Sequence, residues 1–184
     1  HKLPVIKEAA RGKEWFDFGE KNDYPDYLLK LFNRSAKHNA IVNGKANYIF
    51  GNGWEVTEDN KNISAFLLKA NADEDFGTVS KKCILDLEIF GGFALEVIWG
   101  KGGNLAEINH VDFTNVRSNE DGTEFYFTKA WFKDEGYRNM QVEKEKDWTV
   151  YPYFNPSKKT GKQLLYFKLY RPGINVYPLP EYLG

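Results

Sequence analysis

The sequence predicts an α+β fold, with helices in the first half of the chain and an antiparallel meander of strands in the second. Apolar residues recur at helical spacing up to Phe90. After Gly91 and Gly92 the period becomes two, as expected for strands. Because helices and strands are grouped, the order favours α+β over alternating βαβ units. The 184 residues, 42% hydrophobic and 16% aromatic, suffice for a packed core.

Four helices are predicted. Pro25 is tolerated in a first helical turn, and Asn22 or Asp23 can accept the free amide hydrogens there. Ser35 is a typical N-cap for the second helix, which ends where Gly51 can adopt a left-handed conformation. The apolar face predicted for that helix consists of Val42, Ala46, Ile49 and Phe50. The other helices are predicted over residues 62–70, with Phe66 and Leu67 turned inward, and over residues 78–90.

The predicted meander begins with residues 93–99, a glycine-rich turn and a partner strand over residues 105–111. A short strand is also predicted earlier in the chain, at residues 54–56. The remaining strands are separated by charged or Pro/Gly-containing loops and are predicted at residues 125–127, 130–132, 149–153 and 164–170.

Composition excludes several classes of protein. The net charge of −1 gives no overall basic field, so bulk electrostatics do not indicate a nucleic-acid-binding protein. Cys83 is the one cysteine, which rules out an intrachain disulfide and a cysteine-based zinc site. The three histidines lack metal-ligand spacing, and no apolar stretch is long enough to span a membrane. We therefore expect neither metal nor cofactor.

No catalytic motif is visible. The glycine-rich segments 51–53 and 100–103 do not link a strand to a helix, as a phosphate-binding loop requires. Cys83 lies among apolar residues within a predicted helix and is expected to be a buried, inert thiol. Carboxylates such as Glu96 and Asp112 are expected to be solvated or to cap helices. These observations favour a protein that is not an enzyme.

Three asparagines recur at every fourth position of the second predicted helix and form a polar stripe: Asn39, Asn43 and Asn47. The stripe has two interpretations, a solvated face or a subunit contact made by side-chain amides. Trp131 is a further candidate for a subunit contact.

Four segments carry a resemblance to a known family. The first is a helix with Ser35 and then His38 at its start and Gly-x-Gly at residues 51–53. The second, residues 85–97, is a helix that ends in glycine and turns directly into a strand. The third and fourth are a strand with its following turn, residues 105–117, and the tyrosine- and proline-rich residues 169–184. In this order and spacing, from about residue 22 onward, they resemble the N-terminal part of the portal proteins of tailed bacteriophages.

The sequence also departs from that family. Gly92 stands where portal proteins often have asparagine, and residues 122–161 are not distinctive. The polar residues 1–21 are predicted to form an N-terminal arm or loop with one short strand, and the resemblance implies a wing-like α+β domain over residues 22–184. The chain begins at His1 instead of Met and ends after a proline-rich stretch. We therefore expect a fragment, with the stem, clip and crown of the portal lying beyond Gly184.

The resemblance further implies a structural role in the virion. Portal proteins form homo-oligomeric, typically dodecameric rings at one capsid vertex. They are assembled in the host cytoplasm and dock the terminase during DNA packaging and the tail or adaptor proteins afterwards. Closing such a ring requires a head-to-tail contact between two different surface patches. Double-stranded DNA passes through the intact ring, and no DNA contact is assigned to residues of this chain.

Two alternatives from other classes stay open. The aromatic content also suits a carbohydrate-binding module, which would be monomeric with a shallow aromatic groove. A hydrolase that uses paired carboxylates would have a concave pocket and at least one carboxyl group with a raised pKa.

Overall fold

The computed structural model describes residues 14–57, 60–129, 131 and 148–183, together with the backbone of residues 8–9. Within this part of the chain the helices are α1 Tyr24–Arg34, α2 Ala36–Phe50, α3 Lys61–Leu68 and α4 Phe76–Phe90. The strands are β1 Glu8–Ala9, β2 Asp17–Phe18, β3 Gly92–Trp99, β4 Leu105–Val111, β5 Val116–Ser118, β6 Glu124–Phe127, β7 Thr149–Pro152 and β8 Lys162–Lys168.

The α+β fold is confirmed. The strands form antiparallel sheets in the orders β4-β3-β8 and β5-β6-β7, and β1 pairs with β2. Helix α4 packs on the first sheet, and α2 packs on α4. The two three-stranded sheets meet through aromatic contacts, with the Phe125 and Tyr166 rings stacked 4.8 Å apart. The molecule is therefore layered, and α2 and the β5-β6-β7 sheet belong to different layers.

Local sequence signals explain most helix ends. The Ser35 hydroxyl accepts a hydrogen bond from the His38 amide at 3.2 Å, as predicted for an N-cap. Asp75 caps α4 through the Thr78 amide at 2.7 Å, so this helix begins two residues earlier than predicted. The predicted cap of α1 is wrong. Asp23 makes no capping bond, and the Asn22 side chain is instead bonded to the Phe18 amide and to Arg117.

Two predictions around α2 are also wrong. Val42 and Ala46 are buried, but Ile49 is 50% exposed. Residues 54–56 form no strand. Trp54 instead lies against α4, where its indole donates to the Ser80 hydroxyl at 2.9 Å and packs 5.4 Å from Phe76.

Of the strand predicted at residues 130–132, only Trp131 lies within the described residues, and it is in a bend.

The segment before α1 contributes to the core. Phe18 in β2 is 1% exposed and stacks on Tyr177 with ring centroids 4.2 Å apart. Trp15 is likewise buried. Residues 15–18 are therefore packed against the rest of the chain, while the division of the chain after residue 21 stays a prediction.

Arg117 in β5 is fully buried. Its guanidinium donates to the carbonyl oxygens of Thr114 at 2.9 Å, Val116 at 2.8 Å and Asn22 at 3.0 Å. Burial lowers its pKa to about 10, so the group remains charged at neutral pH. These bonds connect β5 to the residues that begin α1.

Gly91 forms the junction between α4 and β3. Its φ of 82° is in the left-handed region. A Cβ at this position would lie 2.3 Å from the carbonyl oxygen of Leu179, because the C-terminal segment crosses the junction at this point. Glycine is thus required here by backbone conformation and by space.

We expect Gly91→Ala to lower the free energy of unfolding by about 3 kcal/mol, because strain and backbone overlap add. Gly122→Ala is the matched control, since Gly122 also has positive φ but no atom near its Cβ direction. It should cost only about 1 kcal/mol. Urea denaturation followed by tryptophan fluorescence measures both values. Equal losses would show that the Leu179 contact is unimportant.

We expect Arg117→Ala to cost about 3 kcal/mol, because three carbonyl groups lose a buried charged donor. Arg34→Ala, at an exposed position in the last turn of α1, should change stability by less than about 0.5 kcal/mol. The same denaturation experiment compares the two variants. A loss below about 1 kcal/mol for Arg117→Ala would contradict the role given to its hydrogen bonds.

Candidate functional site

The asparagine stripe is on α2, but its members differ in accessibility. Asn39 and Asn43 are half-buried and Asn47 is exposed. The Asn43 amide donates to both the backbone carbonyl and the side-chain oxygen of Asn39, each at 2.9 Å. Two of the three amides are therefore engaged within the helix. Their part in subunit contacts stays a prediction.

Trp131 lies elsewhere, in an aromatic cluster. Its indole donates to the Asn115 carbonyl at 2.8 Å, and its ring meets Trp15 edge-on at 5.0 Å. The Arg117 guanidinium carbon lies 5.2 Å from the same ring, within the range of a cation–π contact. None of these contacts involves α2. They therefore do not bring Trp131 and the asparagine stripe together into one site. A subunit contact by Trp131 also stays a prediction.

A polar cluster that the sequence did not predict centres on Glu96 in β3, which is 8% exposed. Its carboxylate accepts hydrogen bonds from Tyr151 at 2.9 Å, Asn109 at 3.2 Å and Lys162 at 3.2 Å. Burial and the bond to Glu96 raise the pKa of Tyr151 to about 12. The expectation that Glu96 is solvated or caps a helix is therefore wrong. One signal in the sequence could have indicated that Glu96 is buried. Glu96 follows Ala94 by two residues in a predicted strand, so both side chains lie on the same face, and Ala94 is buried.

Next to this cluster, His110 Nε2 lies 2.7 Å from the Asp86 carboxylate. Burial raises the pKa of Asp86, and the hydrogen bond from His110 opposes that shift. His110, Glu96 and Tyr151 line a groove of about 380 Å³. A raised carboxyl pKa beside a groove matches a feature expected of a hydrolase. Among the described residues, the His110 side chain hydrogen bonds to Asp86 alone.

Cys83 lies one turn before Asp86 on α4 and is buried, as predicted. Burial, with a smaller contribution from Asp86, raises the pKa of its thiol to about 12. The thiol is therefore protonated at neutral pH and is a poor nucleophile.

Asp112 has the role expected for most carboxylates. Its side chain caps a short 3-10 helix by accepting a hydrogen bond from the Thr114 amide at 2.9 Å.

The residues that the structure describes contain neither a metal-binding group nor a membrane-spanning helix. In those residues no group of three or more His, Cys, Asp or Glu side chains is arranged to hold a metal ion. No helix in the same part of the chain has the length and apolar character needed to cross a membrane.

We expect Cys83 in the folded protein to react with iodoacetamide at pH 8 at least about a hundredfold more slowly than in the urea-unfolded chain. The reason is that both burial and the raised pKa suppress the thiolate. Mass spectrometry of timed samples measures the labelling, and the unfolded chain is the internal control. Equal rates in the two states would show that the thiol is accessible.

Comparison with known proteins identifies similar folds but no family. No protein-family model matches the sequence, and no curated protein is significantly similar to it. Among solved structures, the chain is similar to a chain from the neck of an empty gene transfer agent particle, computed with C6 symmetry. The TM-score is 0.61 at 12% identity, over 96% of this chain and 41% of that one.

A chain from the virion of a native gene transfer agent particle is similar to the same degree. Its TM-score is 0.61 at 13% identity, over 96% of this chain and 40% of that chain. This chain thus spans about two fifths of the length of both structural neighbours. At such low identity the similarity establishes the fold alone.

Proposed function

We propose that this chain is part of a structural subunit of a phage-type portal ring, located at the capsid vertex of a virion. The observation that carries the proposal is the similarity over 96% of the chain to chains from the neck and virion of a gene transfer agent. Both neighbours come from assembled particles.

The specific assignment to a portal rests on the four sequence segments that resemble that family. Two of them correspond to α2 with its serine cap and to the α4–β3 junction at Gly91. Gly91 packs against the C-terminal segment around Leu179, which belongs to the fourth of the resembling segments, residues 169–184. The resemblance therefore concerns parts of the chain that contact one another.

The proposal includes the partners of a portal. The subunit forms a closed homo-oligomeric ring, dodecameric when complete, and contacts capsid, terminase and tail or adaptor proteins. DNA passes through the ring, and the net charge of −1 gives no reason to place DNA contacts on this part of the subunit. One structural neighbour is a chain from a particle neck computed with C6 symmetry, and this supports ring formation in general.

The test is to express the whole open reading frame that encodes this chain and to measure particle mass by mass photometry. Negative-stain electron microscopy then images the particles. We expect closed rings of about a dozen subunits with a central hole, because a head-to-tail contact propagates until the ring closes.

Uniform monomers at every salt and protein concentration would contradict the portal assignment. In that case the carbohydrate-binding alternative is examined by titrating saccharides against tryptophan fluorescence. The exposed Trp54, whose side chain lies at the surface beside α4, would report such binding.

A further inference from the structure

The side of α2 that faces away from α4 has the composition of a protein interface. We define this α2 outer face by five exposed residues, Ala40, Ile41, Gly44, Asn47 and Tyr48. The Tyr48 side chain is 90% exposed and Ile41 is 54% exposed. In a protein that is 28% charged, the fifteen residues of α2 include just two charged ones, Lys37 and Lys45. Interface centres are likewise depleted of charge and enriched in aromatic residues.

The interior of the molecule does not explain the composition of this face. Lys45 is bonded to Glu88 at 2.6 Å and is thereby directed toward α4. A Cβ on Gly44 would meet no atom within 4 Å, so packing inside the subunit does not require glycine there. Glycine in mid-helix is unfavourable on its own, but it permits another chain to approach the backbone closely.

A second surface, in a different layer, is complementary to the first. A groove of about 370 Å³ lies between β8 and the loop that joins β5 to β6. Its aromatic lining includes Phe125, Tyr153 and Tyr166, and Glu120 and Asp121 form an acidic part of its edge. Lys168 also lines this aromatic groove, but its ammonium is bonded to the carbonyls of Asn175 and Val176.

The charges around the two surfaces have opposite signs. Lys37 is exposed one turn before Ile41. Lys37 therefore borders the α2 outer face, whereas the exposed Glu120 and Asp121 border the aromatic groove. Such complementarity selects the orientation in which two surfaces meet.

We propose that the α2 outer face of one copy of this chain docks in the aromatic groove of a second copy, with the Tyr48 ring entering the groove. Buried tyrosines in pockets are common anchors of protein interfaces. Because the two surfaces differ and lie on one molecule, the contact is head-to-tail and repeats from copy to copy. The inference rests on the proposed ring and names the contact that closes it.

Cross-linking tests the contact in assembled, full-length protein. Tyr48→Cys and Tyr153→Cys are combined in one chain and treated with a short bismaleimide. We expect a ladder of covalent oligomers on denaturing gels, and no ladder from either single variant. Leu68→Cys with Tyr153→Cys is the matched control, since Leu68 is 80% exposed but lies on α3. An equal ladder from the control pair, or none from the Tyr48 pair, would overturn the inference.

Assembly strength gives an independent measurement. We expect Tyr48→Asp to raise the subunit concentration needed for half-assembly about tenfold or more, whereas Leu68→Asp leaves it unchanged. Circular dichroism checks that both variants are folded. If wild-type rings form and Tyr48→Asp assembles equally well, the docking surface is wrong and the ring proposal stands. If the wild-type protein forms no ring, the proposed function fails and the docking contact fails with it.

Discussion

The buried phenol of Tyr177 is the contact on which the rest of the fold depends. Its ring stacks on Phe18 at an interplanar angle of 5°, and its hydroxyl accepts a hydrogen bond from the Ser118 amide and donates one to the Phe16 carbonyl. One side chain thereby joins the segment before α1, the strand β5 and the C-terminal segment. These three parts are far apart in sequence, so their association requires the complete core to be formed.

The sequence predicted those elements that local patterns determine. The Ser35 cap and the glycine at residue 91 mark helix ends through contacts a few residues away, so α2 and α4 were identified correctly. Trp54 and Ile49 were misjudged for the opposite reason. Trp54 hydrogen bonds to a residue 26 positions away, and Ile49 is 50% exposed although it shares a helical face with the buried Val42 and Ala46. Such tertiary contacts leave no periodic signal in the chain.

Functional surfaces were harder to predict than secondary structure. The spacing of the asparagines correctly placed a polar stripe on α2, but spacing alone could not show that Asn43 bonds to Asn39. The neighbouring face with Tyr48 was missed, because the sequence analysis followed only the asparagines and the apolar face of this helix. Glu96 was missed because its three partners come from strands β4, β7 and β8, which the sequence does not place beside one another.

The C-terminal segment has a mechanical consequence. Tyr182 donates a hydrogen bond to the Ile89 carbonyl at the end of α4, and Glu181 lies 3.7 Å from Lys45 on α2. The backbone of Leu179 packs closely against Gly91. Through these contacts a displacement of the C-terminal segment would be passed to α4 and, more weakly, to α2, because the Lys45–Glu181 pair is exposed to solvent.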